Sequence, residues 1–164
     1  GWIERTEPGQ PGSVSSYPVQ GIVKQGDNWI VPYSAGRAKH NAYCDRLERD
    51  DMRNIANMVR FHQDRLVGLA TTGKVPGFLL SKPFIIGADG ITLDADVKGC
   101  IRYSLCDAFG QPMPGYSTND CVPISGDSHS HQFRWKDKDA SDLIFDAVSL
   151  RLELQDATVY AIRY

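Results

Sequence analysis

Asp94 and Asp96 sit two residues apart in Thr92-Leu-Asp-Ala-Asp-Val97, and on a strand that spacing puts both carboxylates on one face. Paired carboxylates hydrolyse glycosides when they stand about 5–5.5 Å or 6.5–9.5 Å apart in a cleft. Nothing in the flanking sequence raises the pKa of either, so a solvated strand face is the expected role. His129-Ser-His131, with Asp127 just before it, offers two imidazoles at i and i+2. These converge on a metal only when a third ligand joins them, and His40 and His62 are remote in sequence, so a polar loop is expected. Asp120 and Gly126-Asp127 flank Val122-Pro-Ile124 in what reads as a long irregular connection. Short carboxylates there pin turns by accepting backbone N–H groups. Calcium is the one ion weighed, and it needs six to eight oxygen ligands; no metal or cofactor site is assigned.

The aromatic residues carry the binding reading. Sugar rings stack on exposed aromatic faces while their hydroxyls seek polar neighbours. The candidates are Trp29, Tyr33, Tyr103, Tyr116 and Trp135, with Arg134, Asp120 and Asp127 as polar company. Against them stands the core: Trp135 lies two residues after Phe133, and one of the two is expected to face inward. Nucleophilic catalysis has no local support, since no G-x-S-x-G or phosphate-cradling glycine loop occurs. No catalytic residue is assigned.

These residues must be positioned by strands. Val19–Lys24 and Asn28–Tyr33, joined by Gln25-Gly-Asp-Asn28, read as a hairpin, with Pro32 placing the second strand at an edge or ending its pairing. Asp45 to Asn54 is dense in charge and reads as a short helix or a solvated loop. Strand texture resumes at Ile55 and continues through Gly77–Ile86, Ile91–Val97, Cys100–Asp107, His131–Trp135, Val148–Gln155 and Thr158–Tyr164. Val97-Lys-Gly99 and Gln155-Asp-Ala157 read as turns between strands. In Val148-Ser-Leu-Arg-Leu-Glu-Leu154 the four aliphatic residues share one face, and burying them contributes on the order of 6–12 kcal/mol before entropy is subtracted. The expected fold is all-β: an antiparallel sandwich of jelly-roll character over residues 55–164. A lead-in, blade-like hairpin and charged connection over 1–54 precede it.

At 164 residues with 41% hydrophobic content, the chain can build a real core. A formal net charge of −2 gives no basic field for nucleic acid or an anionic membrane. No apolar run approaches the roughly 20 residues of a membrane span, and no signal-peptide pattern opens the sequence. Among Cys44, Cys100, Cys106 and Cys121 no pair has C-x-x-C spacing. Cys100 and Cys106 on one straight strand stand about 20 Å apart, so they cannot bond. Buried thiols are expected, with a bridge from Cys106 to Cys121 or to Cys44 as the alternative.

Several motifs together carry a resemblance: Phe61-His-Gln-Asp-Arg-Leu-Val-Gly-Leu69, Gly77-Phe-Leu-Leu-Ser-Lys-Pro-Phe84, Leu105-Cys-Asp-Ala-Phe-Gly-Gln-Pro-Met-Pro-Gly-Tyr-Ser117, Arg134-Trp135 and Val148 to Tyr160. The chain resembles the C-terminal β-sandwich that follows five-bladed β-propellers of the invertase and arabinanase glycosyl-hydrolase type. Asp27 to Gly36, with His40, resembles a last propeller blade. A whole propeller needs roughly 250 to 300 residues, and the family's catalytic carboxylates belong to blades that these residues do not match. The resemblance therefore implies a non-catalytic accessory module of a carbohydrate-active protein, whose partner is a glycan or a propeller domain. A ligand-free structural or oligomerising sandwich is the alternative, and a small glycosidase the least favoured.

Overall fold

The computed structural model describes residues 3–38, 54–72 and 75–164; the expected helix at Asp45, together with His40 and Cys44, lies outside them. Among the described residues every long element is a strand, and all strand pairings are antiparallel. The all-β class is as expected, consistent with a β-sandwich. The chain divides into two compact units, Gly1–Leu66 and Val67–Tyr164. The strand Ile55–His62 pairs along its whole length within the first of these units.

In the first unit, strand β3 (Asn28–Gly36) is central. β1 (Ser15–Pro18) and β2 (Val23–Gln25) line one side of it, and β4 (Ile55–His62) the other. The β2–β3 hairpin turns at Gly26, whose φ of 58° glycine tolerates without strain. Pro32 does not put β3 at an edge. It falls between the β1 and β2 pairings, where no ladder donor is required, and its carbonyl still accepts from the Val19 N–H.

The second unit is built around two long strands, β8 (Thr92–Cys106) and β10 (Ala147–Arg163). Their register runs from Cys106↔Ser149 to Thr92↔Arg163. β9 (Ile124–Gln132) pairs with the far side of β8. Short strands β5 (Leu69–Ala70), β6 (Gly77–Leu80) and β7 (Phe84–Ile85) occupy the other edge of β10. The stripe Val148, Leu150, Leu152 and Leu154 is buried, as its alternation predicts, against Leu93, Ile101, Tyr103 and Leu105.

Two expected turns are absent. Val97-Lys-Gly99 and Gln155-Asp-Ala157 lie inside continuous strands and face each other across the ladder, where the register slips between Gln155 and Ala157. Lys98 and Gly99 together oppose Asp156, whose φ is 47°. This is a β-bulge, which bends and twists the sheet without ending it. Gly99 is needed there, since an added Cβ would lie 2.3 Å from the Gln155 carbonyl oxygen. Gly126-Asp127, expected in a loop, also lies within a strand, β9.

Candidate binding site

The outer face of β8 carries both candidate carboxylates, as their spacing predicts, because Leu93, Ala95 and Val97 between and beside them face the core. Their environments differ completely. Asp94 is 0% exposed, which overturns the expected solvated role. His129 Nδ1 lies 3.1 Å from Asp94 Oδ2, and Arg163 Nη2 donates to the same oxygen at 3.3 Å. Arg163 Nη1 also donates to the His129 carbonyl at 2.6 Å. Register shifts in β9 and in β10 meet opposite Asp94 and bring these groups round it. A buried carboxylate is tolerable only with such partners. His131 turns elsewhere, donating from Nε2 to the Ala95 carbonyl at 3.1 Å.

Asp96, half-buried, opens instead onto a cavity of about 340 Å³ lined by Thr71, Thr72, Asp96, Lys98, Asp156, Ala157 and Thr158. The bulge makes this cavity. Asp156 stands out of the ladder at its left-handed φ, while Lys98 rises from the opposing strand. Thr158 is the direct cross-strand neighbour of Asp96. The segment after β5 closes one wall, where the Thr71 N–H donates to the Ala157 carbonyl and Thr71 Oγ1 accepts from the Ala157 N–H. Among the described residues, no ion pair or side-chain hydrogen bond ties Asp96, Lys98 or Asp156 to another group. The cavity thus presents two carboxylate acceptors, an ammonium donor and three hydroxyls to whatever enters it.

The residues chosen from sequence fare unevenly. Tyr103, Tyr116 and Trp135 are at most 4% exposed and have no face to offer a sugar. They pack edge to face, with centroids 5.0 Å apart for Tyr103–Trp135 and 5.1 Å for Tyr116–Trp135. The Tyr103 hydroxyl accepts from the Arg134 N–H at 2.8 Å and lies 2.8 Å from the carbonyls of Val122 and Arg134. Burial pushes the Tyr103 phenol up to about 12. Burial, with the Asp142 carboxylate 3.2 Å away, does the same at Tyr116. Arg134 itself is exposed.

Asp120 accepts from Ser117 Oγ at 2.6 Å, a side-chain hydroxyl rather than the expected backbone N–H. Asp127 is exposed and pairs in register with Asp96 on the far side from Thr158. Trp29 and Tyr33 belong to the first unit. They are half-buried on β3, and Lys24 Nζ lies 5.8 Å from the centre of the Trp29 ring. Cys100, Cys106 and Cys121 are free thiols, with Cys106 and Cys121 buried.

Sequence reasoning missed Lys98, Asp156 and the three threonines, because the first two read as turn residues. Comparison of the chain with family models, with characterised proteins and with solved structures finds no match in any of the three. The likeness to propeller-associated sandwiches therefore stands on the quoted motifs alone.

Proposed function

We propose that this chain is a non-catalytic, carbohydrate-binding accessory module, with the bulge cavity of the second unit as its ligand site. The observation that carries this is the grouping around one cavity of Asp96, Lys98 and Asp156, which have no side-chain partner among the described residues, beside the hydroxyls of Thr71, Thr72 and Thr158. Carboxylates accept short, charge-assisted bonds from sugar hydroxyls, while Lys and Thr donate to ring and hydroxyl oxygens. The volume lies near the lower end of the roughly 300–1,000 Å³ of ligand clefts, which suits one or two sugar units. The motif resemblance supplies the sugar-related context. Hydrolysis is disfavoured because Asp94, the neighbouring carboxylate, is already committed to Arg163 and His129.

Affinity electrophoresis of the whole chain in gels holding different polysaccharides tests this reading. The expected result is retardation by at least one polysaccharide, lost in Asp96→Asn and Asp156→Asn variants that melt like the parent. Mobility unchanged in every gel would refute it. A structural or oligomerising role is the second reading, favoured by the apolar side chains that the edge strands expose, Leu69, Phe78, Leu80 and Ile85. Light scattering after size exclusion would reveal such assembly as a mass above that of the monomer.

A further inference from the structure

Charge bookkeeping around the cavity narrows the class of ligand, an inference that rests on the sugar-binding reading above. Two carboxylates, Asp96 and Asp156, face one ammonium, Lys98, and none of the three has a charged or hydrogen-bonded side-chain partner among the described residues. Among the described residues the lining is therefore net negative, with one carboxylate in excess of the ammonium. A sugar acid placed there would set its own anion beside two like charges, and Lys98 offsets only one of them. A neutral sugar satisfies the carboxylates through hydroxyls alone. An amine-bearing sugar adds a cation between them and keeps its remaining hydroxyls for Thr71, Thr72, Thr158 and Lys98.

Among the described residues no aromatic side chain lines the cavity, so no stacking platform compensates a poor polar match. Polar and electrostatic complementarity then decides which ring is held. We infer that the cavity formed by the β8–β10 bulge selects a protonated amino-sugar unit over the neutral sugar of the same stereochemistry and rejects the corresponding sugar acid.

The test uses three probes that differ in one group: galactose, galactosamine and galacturonate, with glucose, glucosamine and glucuronate as a second stereochemical set. Each is titrated into the whole chain at mildly acidic pH and low salt, and amide shifts are followed by NMR. Dissociation constants on the order of millimolar are expected, given the small ligand and open site. The amine should bind about fivefold to tenfold tighter than the neutral sugar, the range that one or two exposed ion pairs provide. Raising the salt should shrink that ratio.

Asp96→Asn and Asp156→Asn should each weaken binding of both sugars, the amine by more than the neutral sugar, and so bring the ratio toward one. Asn accepts the left-handed φ at position 156, so the second variant keeps the bulge. Equal affinity for amine and neutral sugar, or tighter binding of the acid, would overturn the inference and leave the sugar-binding reading standing. A ratio unmoved by both substitutions would overturn it too, by removing the cavity from the binding site. Failure of all six probes, together with unretarded mobility on every polysaccharide, would take down the sugar-binding reading itself.

Discussion

At the scale of single residues, burial decided what each side chain does. Tyr103 was chosen for its ring, yet its hydroxyl is the part with most consequence, since it pins Val122 and Arg134 of the segments flanking β9. Replacing it with Phe leaves the Arg134 N–H short of its acceptor and should cost about 1–3 kcal/mol at neutral pH. The buried phenol also makes the domain sensitive to alkali. Its pKa is about 12 when folded against an ordinary value of 10.0, so the neutral form is favoured by folding. That stabilisation is complete below about pH 10 and is lost as pH rises from there to about 12. Tyr116 contributes in the same window and the same direction. Thermal melts across that window should show a falling Tm in the parent and a shallower fall in Tyr103→Phe. Parallel pH profiles for the two proteins would show that Tyr103 is not the group responsible.

At the scale of elements, the β8–β10 bulge connects the fold to the site. Gly99 allows the two backbones to close, and a Cβ there meets the Gln155 carbonyl, a backbone atom that cannot swing away. Gly99→Ala should therefore destabilise the second unit by about 1–3 kcal/mol and weaken saccharide binding along with it. Gly90→Ala strains a left-handed turn with open space around it and should affect stability alone. Urea unfolding and sugar titration of both variants separate these effects; unchanged sugar binding in Gly99→Ala would mean that the bulge does not shape the site.

The same element shows what was legible in the sequence. Alternation from Val148 to Leu154 gave the buried face correctly. After Leu154 the inward parity changes, with Ala157 and Val159 the next buried residues. A parity change marks an extra residue, but whether the chain turns back or bulges onward depends on the partner strand, which local sequence does not contain. Lys98 and Asp156 were read as turn residues for that reason, and the cavity between them went unseen. Asp94 failed differently. The residues beside it on its own face, Thr92 and Asp96, look solvated, while His129 and Arg163, which hold its carboxylate, are 35 and 69 residues away.

At the scale of the whole molecule, the two units differ in how much apolar surface they enclose. The main core cluster, from Ile86 to Val159, belongs wholly to Val67–Tyr164 and includes Leu93, Tyr103, Leu105, Trp135, Leu150 and Leu152. In the first unit only Val31 and Ala35 are buried apolar side chains among the described residues. Apolar burial must offset the conformational entropy lost on folding, and the described strands of the first unit, with two buried apolar side chains, fall short of that. A fragment spanning 67–164 should therefore fold alone and melt cooperatively, with the near-ultraviolet dichroism of its packed Tyr103, Tyr116 and Trp135 rings preserved. A fragment spanning 1–66 should show no cooperative transition. Since every residue lining the bulge cavity lies within 67–164, the larger fragment should also keep the saccharide affinity of the whole chain within a few-fold. A 67–164 fragment that folds but loses that affinity would mean that the first unit contributes to binding. One that does not melt cooperatively would mean that this core cannot support the fold by itself.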